Sequence, residues 1–240
     1  MPLILCLLLA LPSPFALAVT LLAAEVPPYV IRAQQGAPTG MAVEVVEEAA
    51  RRLREPLTIE LMPFARALVE AQHRSGVLLL PPVRSQDRET RLQWIAPLLE
   101  ESFVLASDRR HRGEPLTLAE ARRLKIGVLR HSLSHSLLQA RGMPELESVG
   151  AERGNADKLA RGRIQAWAAA WNTMRYAQQE AGLPLTRLIK GETLARVPLY
   201  LAANLDFPAE EAARWRHTLA EMAADGSLDR ILLQYDYQAP

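Results

Sequence analysis

The sequence lacks several features on which common functions depend. It has one cysteine, Cys6, in 240 residues, so no disulfide framework can form within the chain. The formal net charge is +1, which gives no bulk electrostatic attraction to nucleic acid. Aromatic residues make up 5% and hydrophobic residues 49% of the sequence, as in an ordinary globular protein.

Motifs that hold cofactors or expose nucleophiles are also missing from the sequence. There is no GxGxxG or P-loop to cradle a nucleotide, and no GxSxG turn to present a serine. His131 and His135 are four residues apart, but no Glu or Cys completes a metal-binding pattern around them. We therefore expect neither a cofactor nor a metal site, and no catalytic residue.

The first residues differ in composition from the rest of the chain. Leu3–Leu11 is almost entirely apolar, and Ala16-Leu17-Ala18 has the small-x-small pattern of a cleavage site. This pattern predicts a secretory signal peptide over residues 1–18, which cleavage near Ala18 would remove together with Cys6. The alternative is a buried first strand. No later segment has 18 uncharged apolar residues in a row, so we expect a soluble mature protein.

Strand and helix patterns alternate in the first third of the mature chain. Apolar strand patterns cover Val19–Val26, Thr58–Leu61 and Val77–Leu80. Helical spacing of apolar residues from Val43 to Leu53, and the segment Phe64–His73, separate these strands. The order β-α-β-α-β predicts a parallel sheet.

A second alternating series follows, after a break around residues 100–116. Trp94–Leu99 and Phe103–Ala106 are predicted to be extended. Later strands and helices are predicted at Lys125–Leu129, Ser132–Arg141, Asn155–Arg161, Ile164–Ala170, Asn172–Ala181 and Val197–Ala202, followed by two C-terminal helices, from Asp206 to Gly226 and over Leu228–Tyr235. Two α/β lobes of similar size, with strand ends facing a cleft, explain this repetition.

The stretch from Pro81 to Arg88 directly follows the third predicted strand. Pro81 and Pro82 end that strand because proline donates no N–H to a sheet. Open α/β sheets bind ligands at the carboxyl ends of their strands, where Arg88 is expected to lie. We interpret Arg88 as a clamp for an anion; the alternative is a solvated basic turn.

Two further segments have the composition of a ligand contact. Ser132 and Ser134 lie where a strand turns into a helix, whose free N–H groups can hold a carboxylate or phosphate. The alternative for these serines is helix capping. Trp171 and Asn172 begin another helix and are candidates to face the cleft, although core packing is the commoner fate of such a tryptophan.

Taken together, these segments resemble the bacterial extracellular solute-binding proteins that serve polar amino acid ABC importers. The resemblance runs over essentially the whole mature chain. It rests on Pro27-Pro28-Tyr29, on Pro38–Glu44, on Pro63-Phe64-Ala65-Arg66, on Ser85-Gln86-Asp87-Arg88, on Ala96-Pro97-Leu98, on Lys125–Val128, on Gly162–Ala166 and on Asp225–Leu228.

The resemblance implies an α/β fold of the periplasmic binding protein type II, with two lobes, a cleft and two hinge crossovers. Lobe 1 would comprise residues 19–102 and 198–240, and lobe 2 residues 103–197. Arg88 would bind the ligand's α-carboxylate as a bidentate pair. The other residues implied to contact the ligand are Tyr29, Phe64, Arg66, Val83, Ser132, Ser134, Trp171 and Asn172.

The sequence departs from the family at the positions that would hold the ligand's ammonium group. Val83 stands where many members have Ser or Thr, and Ala170 where they have Asp; Gln165 replaces an earlier Asp. Burying an ammonium without a partner costs several kcal/mol. We therefore expect a small anionic or carboxylate ligand, unless Glu44 or Asn172 takes over the missing role.

The expected function is that of a periplasmic, monomeric solute-binding protein. Its partners would be a small anionic or amino-acid-like ligand and, by resemblance, the permease of an ABC importer, with no nucleic acid. One alternative is an orphan periplasmic sensor with a degenerate site. Another is a lyase on the same fold, for which Glu44 is the candidate acid–base residue.

Overall fold

The computed structural model describes residues 19–240, so the predicted signal peptide lies outside the described residues. The strands are β1 (Val19–Ala24), β2 (Leu57–Met62), β3 (Val77–Leu80), β4 (Gln93–Asp108), β5 (Ile126–Leu129), β6 (Leu146–Val149), β7 (Ala166–Ala170) and β8 (Leu188–Ala203). The helices are α1 (Met41–Leu53), α2 (Phe64–His73), α3 (Leu118–Ala121), α4 (Leu133–Ala140), α5 (Glu152–Ala160), α6 (Trp171–Glu180), α7 (Ala209–Ala224) and α8 (Ser227–Gln234).

All eight strands belong to one sheet in the order β2-β1-β3-β8-β4-β7-β5-β6. At one end β1, β2 and β3 are parallel, and at the other end so are β5, β6 and β7. Between them, β4 and β8 are antiparallel strands of 16 residues each, paired from Gln93–Ala203 to Asp108–Leu188. Strand β3 pairs with β8, and β7 pairs with β4. In both pairings the carboxyl ends of the parallel strands point toward the middle of the β4–β8 ladder.

Helices cover both faces of the sheet in each half of the molecule. In the first half (β1–β3, α1, α2, α7 and α8), one face packs against α1, α7 and α8 and the other against α2. In the second half (β5–β7 and α3–α6), one face packs against α5 and α6 and the other against α3 and α4. Parallel strands buried on both faces read as continuous apolar runs, which is why β3 is Val-Leu-Leu-Leu.

The loop after β1 is held against the start of α1 by a close backbone approach. Gly40, the residue before α1, has φ 123°, and a Cβ there would lie 2.6 Å from the carbonyl oxygen of Tyr29. Only glycine tolerates both conditions. Backbone N–H groups of Ala42 and Val43 donate to the same oxygen, at 3.0 Å and 3.4 Å, which fixes the position of Tyr29.

The structure changes several predicted boundaries. The two extended segments predicted within residues 94–106 form one continuous strand, β4, and β8 begins at Leu188 rather than Val197. Strand β6 was not predicted, since Leu-Glu-Ser-Val alternates polar and apolar residues over only four positions. The first strand ends at Ala24, two residues early, and α5 begins at Glu152 instead of Asn155. Within residues 19–240 no helix is long and apolar enough to span a membrane.

Candidate ligand-binding site

Arg88 lies in the turn that follows β3 and has few protein partners. Its Nη1 donates to the carbonyl oxygen of Val83 at 3.2 Å, and its guanidinium carbon lies 5.1 Å from the centre of the Phe64 ring. Its Nε is buried and makes no hydrogen bond. Among residues 19–240, no Asp or Glu forms a salt bridge with Arg88. The structure therefore brings together three of the predicted contact residues: Phe64, Val83 and Arg88.

The surroundings of Arg88 suit recognition of a planar anion. A ring beneath a guanidinium stabilises the cation and leaves its N–H groups at the edge free to donate. A carboxylate accepts two such donors in a bidentate pair, which is stronger and more directional than a neutral hydrogen bond. The buried Nε has no acceptor within residues 19–240, and an unmet buried donor is costly.

Two neighbouring arginines are engaged differently. Arg84 forms a salt bridge with Glu89 and lies 5.3 Å from the ring of Trp94 and 5.4 Å from that of Tyr200. Arg66, a predicted contact residue, is 69% exposed and lies 3.7 Å from Glu70 one helical turn away. Arg66 forms no hydrogen bond or salt bridge with Phe64, Val83 or Arg88.

The serines at the start of α4 have different roles. Ser132 is the N-cap, and its Oγ accepts from the backbone N–H of His135 at 3.1 Å. This is the capping arrangement that the sequence left open as an alternative. Ser134 is fully buried, and its Oγ has no hydrogen-bond partner. Neither serine forms a hydrogen bond with Arg88.

Tyr29 and Asn172 meet at a buried carboxylate, Glu101, near the middle of β4. The Tyr29 hydroxyl and the Asn172 amide (2.8 Å) donate to Oε2 of Glu101, and the N–H of Ser102 donates to Oε1 at 2.8 Å. Burial raises the pKa of Glu101, and burial together with the nearby Glu101 charge raises that of Tyr29 well above its ordinary value. Trp171 lies beside this group, and its Nε1 donates to Gln238 at 2.7 Å.

Glu101 was not identified from the sequence, although an acid inside an apolar extended stretch is a usable signal. Its carboxylate accepts three of the roughly four donors that a carboxylate can take, and it is fully buried, so a ligand has no access to it in this structure. The two residues considered as ammonium partners are also engaged. Glu44 accepts from the hydroxyls of Thr39 and Tyr235, and the amide of Asn172 bonds to Glu101 and to the backbone of Gln238.

Ala170 and Val83, which stand where the resemblance implies polar partners for an ammonium group, lie in apolar surroundings. Ala170 ends β7 immediately before α6 and is 6% exposed. Val83 is half-buried and pairs with Leu199 of β8 in an isolated bridge. Within the described part of the chain, no group of three or more His, Cys, Asp or Glu side chains is arranged to hold a metal ion.

Comparison with known proteins places the fold. No protein-family model matches the chain, and no curated protein matches its sequence. Among solved structures, the probable amino-acid ABC transporter extracellular-binding protein ytmK from Bacillus subtilis is 17% identical, with a TM-score of 0.79 over 92% of this chain and 100% of that one. A histidine kinase sensor domain with similarity to periplasmic binding proteins is 20% identical, with a TM-score of 0.76 over 91% and 95%.

A third structural neighbour is an ancestral amino acid-binding protein described as a precursor of cyclohexadienyl dehydratase. It is 12% identical, with a TM-score of 0.75 over 91% of this chain and 95% of that one. Identities this low show the fold alone. The chain has the fold of the type II periplasmic binding proteins, and the resemblance predicted from its sequence is confirmed at that level.

Proposed function

We propose that this chain is a periplasmic solute-binding protein that captures a small carboxylate ligand in a cleft between two lobes, without covalent chemistry. The observation that carries the proposal is Arg88, a guanidinium stacked on Phe64 with no carboxylate partner among residues 19–240 and with a buried, unbonded Nε. A guanidinium without a carboxylate partner is suited to bind an anion, because charge-assisted bidentate pairs are the strongest hydrogen bonds that it can form.

The proposed mechanism is hinge closure. Residues 19–102 and 198–240 form one lobe and residues 103–197 the other, and β4 and β8 are the two crossovers. Closing the lobes excludes water and strengthens the pair between Arg88 and the carboxylate. Tyr29 and Asn172 act on the hinge through Glu101 in this scheme and do not contact the ligand directly.

The ligand class follows from what surrounds Arg88. Val83 offers no hydroxyl, and Ala170 offers no charge to an α-ammonium group. A carboxylate that lacks the α-amine therefore binds better than the matched amino acid. In this proposal the closed protein delivers its ligand to an ABC permease. A sensor role is the second candidate, favoured by the likeness to the kinase sensor domain along 91% of the chain.

The test is a thermal-shift screen with organic acids and the matching amino acids. We expect some acids to raise the melting temperature and Arg88→Ala to abolish the shift without unfolding the protein. Loss of a charge-assisted pair weakens binding by about 1.5–3 kcal/mol, or tenfold to about a hundredfold. Arg88→Lys keeps the charge but not the planar fork, and should recover only part of the shift.

A matched control is Arg66→Ala, which removes a guanidinium from the same neighbourhood at an exposed position. This variant should bind acids as the parent protein does. Unchanged binding by Arg88→Ala would show that the clamp assignment is wrong. Turnover of any bound acid would instead favour the lyase alternative, although Glu44, its candidate acid–base residue, is engaged by Thr39 and Tyr235.

A further inference from the structure

A cavity of about 400 Å³ lies at the outer end of the second half of the molecule, and none of its lining residues belongs to the Arg88 group. It is bounded by residues that precede β5 and β7 and by the last residues of β4, so it lies at the amino ends of the parallel strands. Those ends point away from the middle of the β4–β8 ladder, which the proposed cleft faces. This outer cavity is therefore separate from the cleft. Its lining includes Ser107, His111, Leu124, Leu159, Gly162 and Ile164.

The walls of the outer cavity are tied together by hydrogen bonds and salt bridges. Asp108, the last residue of β4, lines the cavity and is buried. It forms a salt bridge with Arg187, and its Oδ1 accepts from the backbone N–H of Arg110 at 2.9 Å. Both arginines also donate to the carbonyl oxygen of Ala160 at the end of α5. The cavity is thus preformed, as small-molecule sites usually are.

Ser107 is the observation that points to a ligand. It lines the outer cavity and is 1% exposed, and its hydroxyl has no hydrogen-bond partner within residues 19–240. Buried hydroxyl groups are nearly always paired, because an unpaired one costs free energy. A hydroxyl or carbonyl group of a ligand inside the cavity supplies the missing partner.

Aliphatic side chains form the apolar part of the wall. Leu159 and Ile164 belong to the buried cluster beneath α5 and α6, and Leu124 packs against the cluster beneath α3 and α4. The outer cavity therefore lies where the apolar faces of this half meet at the end of the sheet. An apolar wall with a few polar groups that orient the ligand is the usual composition of a small-molecule pocket.

The mouth of the outer cavity is rich in arginine. Two exposed turns meet there, since a Cβ built on Gly162 would lie 3.7 Å from Nε2 of His111. The arginines that flank these two residues in sequence are Arg110, Arg112, Arg161 and Arg163. The first two are paired with carboxylates. Arg161 and Arg163 are exposed and form no salt bridge within residues 19–240, so the mouth attracts an anion.

We propose that the outer cavity binds a small amphipathic acid. Its apolar body lies against the aliphatic wall, a hydroxyl or carbonyl group pairs with Ser107, and the acidic group lies at the arginine-rich mouth. This site goes beyond the carboxylate site at Arg88 and uses none of its residues. It stands whether or not the cleft binds a carboxylate.

The experiment is isothermal titration calorimetry with three matched compounds. Para-hydroxybenzenesulfonate has all three features, benzenesulfonate lacks the hydroxyl, and phenol lacks the acid. The first should bind most tightly, both to the parent protein and to Arg88→Ala. Loss of the hydroxyl should weaken binding about fivefold, the effect of one neutral hydrogen bond. Loss of the acid should weaken it by about threefold to tenfold.

Two variants of the lining test where these compounds bind. Ser107→Ala removes the partner of the ligand's hydroxyl, so it should make para-hydroxybenzenesulfonate and benzenesulfonate bind equally. Leu124→Trp fills the cavity from a half-buried position and should weaken both acids at least about tenfold. Thermal melting followed by circular dichroism checks that both variants are folded. The Ser107→Ala result is a ratio of two affinities, which a general loss of folded protein does not change.

A third variant tests the mouth. Arg161→Ala/Arg163→Ala should abolish the preference for para-hydroxybenzenesulfonate over phenol and leave the affinity for phenol unchanged. The matched control is Arg51→Ala/Arg230→Ala, which removes two exposed arginines from the first half and should keep the preference.

The inference is overturned if para-hydroxybenzenesulfonate does not bind, or if Arg88→Ala abolishes its binding. It is also overturned if Ser107→Ala leaves the difference between the two sulfonates unchanged, or if folded Leu124→Trp binds as the parent protein does. The carboxylate screen depends on Arg88 and not on Ser107 or Leu124, so the two proposals fail separately.

Discussion

Arg84 and Arg88 stand in one turn after β3, yet their surroundings differ. Arg84 is paired with Glu89 and lies beside two aromatic rings, whereas Arg88 has one backbone partner and a stacked Phe64. The sequence favoured Arg88 through the family resemblance. The absence of a salt bridge to Arg88 within residues 19–240 could not be predicted, because it depends on where Glu89 and the rest of the turn direct their side chains.

Glu152 gives a prediction about stability and pH. Its pKa is about 7 in the folded protein and near 4.5 in the unfolded chain, so between these values the folded state binds more protons. Stability therefore falls as pH rises through this window. Relative to Glu152→Gln, which does not titrate, the parent protein should lose about 2 kcal/mol between pH 5 and pH 8. Urea unfolding of both proteins across this range measures the difference.

The other titrating groups contribute equally to both proteins. The test is therefore the difference between their free energies of unfolding as pH changes, not either curve alone. Parallel stability curves for the parent protein and Glu152→Gln would mean that Glu152 is not desolvated in the folded state.

At the scale of elements, strands β4 and β8 connect the two halves of the molecule. The sequence predicted only short segments of each strand. Pro97, Glu100 and Glu101 interrupt the apolar pattern of β4, and register shifts break its ladder with β8 at four places. The first β-α-β-α-β series was predicted well because its strands are short apolar runs with clear helix signals between them. A long strand with bulges has no constant period to detect.

Gly191 tests how closely β8 packs against the loop before α3. A Cβ at this position would lie 2.4 Å from the carbonyl oxygen of Leu116 and 2.9 Å from its nitrogen. Backbone atoms cannot move aside as a flexible side chain can, so Gly191→Ala should destabilise the protein by about 2 kcal/mol or more. Chemical denaturation monitored by circular dichroism measures the change.

Gly113 is the matched position for this test. Nothing lies within 4 Å of a Cβ built on it. Gly113→Ala should therefore leave stability unchanged or raise it by up to about 1 kcal/mol, because alanine restricts the unfolded chain. Equal effects of the two substitutions would show that the contact between β8 and Leu116 is looser than the structure has it.

At the scale of the whole molecule, a third connection supplements β4 and β8. The C-terminal strap, Asp236–Gln238, follows α8 and binds the start of α6 in the other half. The amide of Asn172 donates to the carbonyl oxygen of Gln238 at 3.0 Å and accepts from its N–H at 2.9 Å, and Arg175 forms a salt bridge with Asp236. Trp171 and Asn172 were identified from the sequence as cleft residues; their partners, 66 or more residues away, could not be.

If the two halves close on a ligand about β4 and β8, the strap limits how far they open. Asn172→Ala removes both bonds to Gln238 and the one to Glu101. We expect it to lower stability by about 2–4 kcal/mol, since it leaves buried polar groups unpaired. The ligand-free variant should also have a larger radius of gyration in small-angle X-ray scattering. Gln179→Ala, an exposed amide on the same helix, should change neither quantity. A destabilised Asn172→Ala variant with an unchanged radius would mean that the strap supports the fold without restraining the hinge.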